Sequence, residues 1–315
     1  MRGCTAQARD RAPAGAITKK SIPTIHDSTA LRVRLRQFQK HMIREAIDKV
    51  VSGRSLDMGE AASVMGEIMA GRATPAQIAG LLIALSMKGE RPSEIVGLAM
   101  TMRANAVKLS KPYDGLFDTC GTGGDGASTF NVSSLAALVL SGCGIRVAKH
   151  GNRAVSSRCG SADLFSALGV AVDAPPGVAE RCLDRCGIAF LFAPTFHPSM
   201  RHAAPARREL GVRTAFNFLG PLTNPAGVTR QLVGVPRPDH TDLIARVLAE
   251  LGAEVVRVDP GFSDPLAAFG HLFYGGAANA IRDLGPKKRA VMDPELVKVS
   301  EKAARLSMLD YMGAV

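Results

Sequence analysis

Asp118-Thr-Cys-Gly-Thr-Gly-Gly-Asp-Gly-Ala-Ser-Thr-Phe-Asn-Val-Ser-Ser134 stands between a short apolar run, Leu116–Thr119, and an apolar helical pattern, Ser133–Gly142. A second apolar run, Arg146–Lys149, follows at once. Parallel strands need a crossover between them, so strand, glycine-rich turn, helix and strand in this order point to a parallel sheet. The alternation continues downstream with a helix near Ser161–Leu168, a segment around Val170–Asp173, a helix near Val178–Cys186 and the run Ile188–Phe192. Gln231–Val235, a helix at Thr241–Leu251 and the run Glu254–Val258 come later. The fold class read from this is α/β, with a mostly parallel central sheet covered by helices.

Upstream the pattern is purely helical. Ile43, Ala46, Ile47 and Val50 recur at helical spacing up to Gly53, and Asp57–Ala70, Thr74–Lys88 and Arg91–Asn105 follow. Thr74-Pro75 and Arg91-Pro92 read as helix starts, and Gly71 and Gly89 as stops. The expected organisation is a basic, disordered extension over 1–41, a small helical domain over 42–110, and a larger α/β domain over 111–315 that contains no internal repeat.

Composition narrows the function classes. A 315-residue chain that is 46% hydrophobic and 21% charged has the apolar content to build a core, which excludes wholesale disorder. Apolar stretches such as Leu135–Gly144 are too short for a transmembrane helix, and no apolar run follows Met1, so neither a membrane span nor a secretory signal is expected. The net charge is +11, but residues 1–44 carry ten Lys and Arg against Asp10 and Asp27, which is +8 of that total. The charge therefore belongs to a tail, and the body is not a nucleic-acid surface. The six cysteines show no Cys-x-x-Cys and no zinc spacing, and Cys182 and Cys186 share a helix face suited to packing. A reducing cytoplasm fits this usage.

The glycine-rich stretch carries the chemistry. Gly121, Gly123, Gly124 and Gly126 let the backbone approach a ligand and turn N–H groups toward it. Asn131, Ser133 and Ser134 then stand at a helix start, where free N–H groups favour a phosphate and a hydroxyl can reach Mg2+. The stretch is neither a dinucleotide fingerprint nor a Walker loop. A flexible loop with an ordinary cap is the weaker reading of four glycines and an aspartate in one turn. Lys149-His-Gly-Asn-Arg-Ala-Val-Ser-Ser157 offers charge and hydrogen bonds to an anion, with His150 as a positioning residue. Gly160-Ser-Ala-Asp163 caps another helix and is a third anion contact.

These stretches, with His197-Pro-Ser-Met-Arg-His-Ala-Ala, Ala206-Arg-Arg-Glu-Leu-Gly-Val-Arg-Thr and Phe216-Asn-Phe-Leu-Gly-Pro-Leu-Thr-Asn-Pro225, closely resemble the anthranilate phosphoribosyltransferases of tryptophan biosynthesis. The match runs from about Met42 to Val256. The resemblance implies the nucleoside phosphorylase/phosphoribosyltransferase architecture and transfer of a phosphoribosyl group from phosphoribosyl pyrophosphate (PRPP) to the amino group of anthranilate. It implies PRPP contacts from Gly121, Gly124, Asp125, Thr129, Asn131, Val132, Ser133, Ser134, Lys149, His150, Gly151, Asn152, Arg153, Ala154, Val155, Ser156, Ser157 and Ser161. Anthranilate contacts would come from Gly121, Asn152 and Arg207, whose guanidinium pairs the carboxylate. Mg2+ is the implied cofactor, with Ser133 as a ligand, and a cytoplasmic homodimer pairing through the helical domain is the implied assembly. No side chain beyond those that position substrate is assigned to catalysis.

The family pattern breaks after Val256. Where it carries an Asp-Glu pair for magnesium, this chain reads Val255-Val-Arg-Val-Asp-Pro-Gly-Phe-Ser-Asp-Pro265, and the pair falls on Ser263-Asp264 or, slipped by one, on Asp264-Pro265, so that only Asp264 of the pair remains. Activity weakened at the magnesium site is therefore expected, as is a shortened C-terminal region without part of the family's sheet. Two other readings stay open: a non-catalytic relative that binds nucleic acid through its tail, and a pyrimidine nucleoside phosphorylase.

Overall fold

The computed structural model describes residues 43–123, 131–154, 159–256, 258 and 266–307. The chain divides into two compact units, 1–255 and 256–315. Four helices open the first: α1 (Ile43–Val51), α2 (Met58–Met69), α3 (Pro75–Lys88) and α4 (Pro92–Ala104). Their starts are set locally. Asp57 accepts from the Glu60 N–H at 2.8 Å while Glu60 accepts from the Asp57 N–H at 2.8 Å, and Thr74 and Gln77 repeat the arrangement ahead of Pro75. Gly71 and Gly89 follow α2 and α3 at φ of 71° and 86°, where a side chain would be strained.

Helices α2 and α4 pack in close contact. A Cβ on Gly97 would stand 2.8 Å from the Ala61 Cβ and 2.9 Å from the Ala62 N, and Thr101 Oγ1 donates to the Ala62 carbonyl at 3.1 Å. The fully buried Glu94 accepts from the Leu56 N–H at 2.9 Å, the Arg91 N–H at 2.7 Å and Lys88 Nζ at 3.1 Å. Three donors from three points of the bundle make burial of this carboxylate tolerable.

The sheet follows. Strands β1 (Phe117–Gly121), β2 (Val147–Gly151), β3 (Ile188–Phe192) and β4 (Arg230–Gly234) are all parallel and lie in the order β3-β2-β1-β4. Helices α5 (Val132–Gly142), α6 (Ser161–Ala167) and α7 (Pro176–Cys186) connect the first three strands. Short α8 (Ala193–Phe196), a 3-10 turn at Pro198–His202, α9 (Ala204–Leu210) and α10 (Phe216–Leu222) lead to β4, and α11 (Pro238–Glu250) follows it. The core of the helical bundle runs on into α10 and α11 through Phe216, Phe218, Leu219, Leu222, Ile244 and Val247.

Three expectations change. Residues Val170–Asp173 form a turn with no strand pairing. The described part of Glu254–Val258 is not a strand either, and Val255 and Val256 are exposed, so among the described residues nothing pairs with the outer edge of β4. An apolar run becomes a strand only where an edge and a covering layer receive it. Of the cysteine pair on α7, Cys182 packs into the core while Cys186, at the last turn, is exposed.

The second unit is helical: α12 (Leu266–Ile281), α13 (Pro286–Arg289) and α14 (Pro294–Ala303), with α12 against α14. Arg289 ends α12 by donating to the carbonyls of Ile281, Arg282 and Leu284 at 2.8 to 3.0 Å, and Asp293 caps α14 through the Glu295 and Leu296 N–H groups. Among the described residues no helix is long and apolar enough to cross a membrane.

Candidate functional site

Strands β1 and β2 are paired at Phe117 and Val147, and each ends four residues later on a glycine, Gly121 and Gly151. Both glycines therefore lie at the carboxyl edge of the sheet, where open α/β proteins take their ligands. Helix α5 starts beside this edge. Asn131 caps it and sends its Nδ2 to the Cys159 carbonyl at 3.3 Å, while Thr119 Oγ1 on β1 donates to the Ser133 carbonyl at 2.6 Å. Ser133 is half-buried and Val132 exposed. Ser134 is fully buried, and its Oγ has no hydrogen-bond partner among the described residues.

The β2 end is built on one carboxylate. Asp118, fully buried on β1, accepts from the His150 N–H at 3.2 Å, Asn224 Nδ2 at 2.9 Å and Gln231 Nε2 at 3.1 Å. Asn224 Nδ2 also donates to the Ala148 carbonyl at 2.8 Å. This cage orients Lys149, which is 3% exposed and donates from Nζ to the His150 carbonyl at 3.0 Å. Burial lowers the Lys149 pKa, and Asp118 works against that fall. Lys149 is hydrogen-bonded to no carboxylate among the described residues. The nearby Cys120 thiol is pushed up by burial first and by Asp118 second, so it is held as a thiol.

His150 points away from the sheet edge into the protein. Its Nδ1 meets the Gly220 carbonyl at 3.1 Å, and its ring lies 5.2 Å from that of His197, whose Nε2 meets the Thr223 carbonyl at 3.0 Å. Burial lowers both pKa values, to about 4 for His150 and about 3 for His197, so both rings are neutral at neutral pH.

Beyond Gly151, Asn152 Oδ1 accepts from the Arg153 N–H at 2.8 Å. Arg153 donates to Asp163 Oδ1 at 3.0 Å, and its guanidinium lies 5.9 Å from the centre of the Phe192 ring. Ser161 opens α6 and donates to the Asn152 carbonyl at 3.4 Å. The glycine loop is held from another direction by Arg213, which donates to Thr122 Oγ1 at 2.9 Å and to the Gly123 carbonyl.

The structure thus brings Gly121, Asn131 to Ser134, Lys149 to Ala154 and Ser161 to one edge. Gly124, Asp125, Thr129, Val155, Ser156, Ser157 and Asp264 lie outside the described residues. Arg207 stands on α9, half-buried, with its guanidinium 5.7 Å from the Phe216 ring centre. Burial lowers its pKa, and no carboxylate pairs with it among the described residues. It makes no hydrogen bond to Gly121 or Asn152. Sequence reading gave no role to Asp118, Asn224, Gln231 or Arg213, because their contacts span up to 113 residues and no local spacing announces them.

Magnesium is not well served by this set. Among the described residues no group of three or more His, Cys, Asp or Glu side chains is placed to hold a metal ion. Ser133 contributes a hydroxyl, and a hydroxyl without a carboxylate does not complete a Mg2+ site.

Comparison with known proteins fits this geometry. Residues 44–106 match the helical bundle domain of a glycosyl transferase family, and residues 114–293 match its a/b domain. The chain is similar to anthranilate phosphoribosyltransferase of Moorella thermoacetica, 58% identical over 212 residues covering 67% of this chain and 62% of that protein. The corresponding protein of Pelotomaculum thermopropionicum is 56% identical over 67% of this chain and 61% of its own length. The crystal structure of the Thermus thermophilus enzyme aligns at a TM-score of 0.62 with 52% identity, covering 66% of this chain and 63% of that one. The Saccharomyces cerevisiae enzyme, solved in complex with PRPP and Mg, aligns at 0.61 with 27% identity over 66% and 62% of the two chains. The chain therefore spans about three fifths of the length of the curated relatives it matches.

Proposed function

The chain belongs to the glycosyl transferase family that joins a helical-bundle domain to an a/b domain, and from that premise we propose that it moves the phosphoribosyl group of PRPP onto the amino nitrogen of anthranilate. The products are N-(5-phospho-β-D-ribosyl)anthranilate and pyrophosphate, a step of tryptophan biosynthesis from chorismate. One observation carries the reading. Lys149, at the end of β2 beside the glycine-rich turn, is 3% exposed and hydrogen-bonded to no acid among the described residues, which suits it to an anionic diphosphate.

In this reading the diphosphate and ribose phosphate lie along Gly121, Gly124, Asp125, Thr129, Asn131 to Ser134, Lys149 to Ser157 and Ser161. Anthranilate is held by Arg207, whose fork matches a carboxylate, with Gly121 and Asn152. The amino nitrogen attacks C1, the bond from C1 to the diphosphate oxygen breaks, and the nitrogen then loses its proton. Lys149 and the loop N–H groups meet the charge that grows on the leaving group. His150 and His197 enter as neutral rings that fix the α10 backbone behind the site. Catalysis is positioning rather than proton transfer by a strong base. Mg2+ would neutralise diphosphate charge when bound, with Ser133 as a ligand and Asp264, outside the described residues, as the remaining carboxylate of the altered pair. The proposed assembly is a cytoplasmic homodimer through the helical domain.

The test is direct. Purified protein with PRPP, anthranilate and Mg2+ should consume anthranilate and release pyrophosphate in equal amounts. No release, under conditions where a thermal melt shows a folded protein, overturns the reading.

A further inference from the structure

The start of α6 does more than cap its own helix. Asp163 Oδ2 accepts from the Gly160 N–H at 2.9 Å, as an acid in a first turn should. The same oxygen also accepts from the Ala154 N–H at 2.9 Å, nine residues back, and Oδ1 takes the Arg153 guanidinium at 3.0 Å. A plain cap needs only the first of these bonds. The other two reach across to the segment that leaves β2.

Gly160 serves the same contact. A Cβ there would meet the Ala154 N, and would stand 2.5 Å from the Arg153 carbonyl carbon and 2.7 Å from the Asn152 oxygen, all of them backbone atoms that have no room to give. Its φ of −87° is ordinary, so close approach is what requires glycine here. The Ala162 N–H closes the seam by donating to the Asn152 carbonyl at 3.1 Å.

We propose that Asp163 and Gly160 are positioning residues for PRPP, docking the Arg153–Ala154 backbone onto the start of α6 so that the path of the chain leaving β2, and the Arg153 side chain on it, are set before the ligand arrives. This rests on the reading of Lys149 to Ser157 and Ser161 as part of the PRPP site. Arg153 and Ala154 face PRPP alone in that reading, so their preorganisation acts on one substrate more than the other, which separates it from a general loss of stability.

The experiment compares wild type with Asp163→Ala, Asp163→Asn and Gly160→Ala. It uses thermal-melt titration with PRPP, steady-state KM for each substrate, and hydrogen exchange over residues 150–162. Asp163→Ala, which releases Arg153 and Ala154, should raise KM for PRPP by about tenfold or more, leave KM for anthranilate within about twofold, and speed exchange at Ala154 and Gly160. Gly160→Ala, whose methyl also presses on the Asn152 carbonyl oxygen, should raise KM for PRPP more than KM for anthranilate. Asp163→Asn keeps the shape with one acceptor and should fall between. If Asp163→Ala does not fold, Asp163→Asn and Gly160→Ala carry the comparison. An unchanged KM for PRPP, or equal losses for both substrates, overturns the positioning role while the activity reading stands. A folded wild type whose melt does not respond to PRPP overturns both.

Discussion

Arg207 is a half-buried guanidinium that pairs with no acid among the described residues. Replacing it with alanine should raise KM for anthranilate by about 10- to 100-fold, since a lost charge-assisted pair costs about 1.5 to 3 kcal/mol. Lysine should recover little, because a point charge does not match a planar carboxylate. Steady-state kinetics with each substrate varied in turn reads this. The buried histidines set an acid limit. Above about pH 6.5 they are neutral both folded and unfolded and contribute nothing to pH dependence. Below that pH the unfolded chain takes up protons that the folded chain refuses until about 4 for His150 and about 3 for His197. Stability should therefore fall as pH drops from about 6.5 toward 4, by up to about 3 kcal/mol for His150 alone. Melting midpoints across that range should show the slope, and His150→Gln should flatten it. At this scale the sequence makes glycines, a lysine and hydroxyls beside a turn legible as candidates, because they state their chemistry locally. It is silent on Asp118, Asn224 and Gln231, whose meaning lies in a cage assembled from β1, β2, β4 and the end of α10.

Among the elements, the contact between α2 and α4 is the least forgiving. Gly97→Ala puts a methyl group against the α2 backbone and should cost about 2–3 kcal/mol, through forced separation of two packed helices. Chemical denaturation should report it as a lower midpoint at unchanged slope. The four bundle helices were legible because apolar spacing, proline starts and glycine stops agree with one another along a single stretch of chain. Strands β1 to β4 are legible from their apolar runs: β3 keeps its expected bounds, while β1 and β2 end two residues later and β4 one residue earlier than expected. Glu254–Val258 shows where local pattern fails. It has the composition of a strand, yet strand formation is settled by a neighbour and a covering layer rather than by composition.

For the molecule as a whole, the helical bundle and the sheet region share one unit, with hydrophobic packing that passes from α1–α4 into α10 and α11. That continuity could not be read from the sequence, which marks a boundary by a change of period and says nothing of what packs across it. The stretches 118–134, 149–163 and 197–225 fall within this unit, and the described residues 266–307 of the second unit form helices of their own. Strand β4 alternates between exposed and half-buried along its length, with Leu232 60% exposed. Unpaired backbone groups beside an apolar side chain recruit another strand whenever one is at hand. Recovery of native protein on dilution from denaturant should accordingly depend on how many chains share the vessel. Loss by strand-to-strand capture is second order and refolding is first order, so each dilution should return more than a proportional share of soluble protein. Leu232→Lys, which places a charge on that edge, should make the yield independent of concentration, as light scattering during refolding would record.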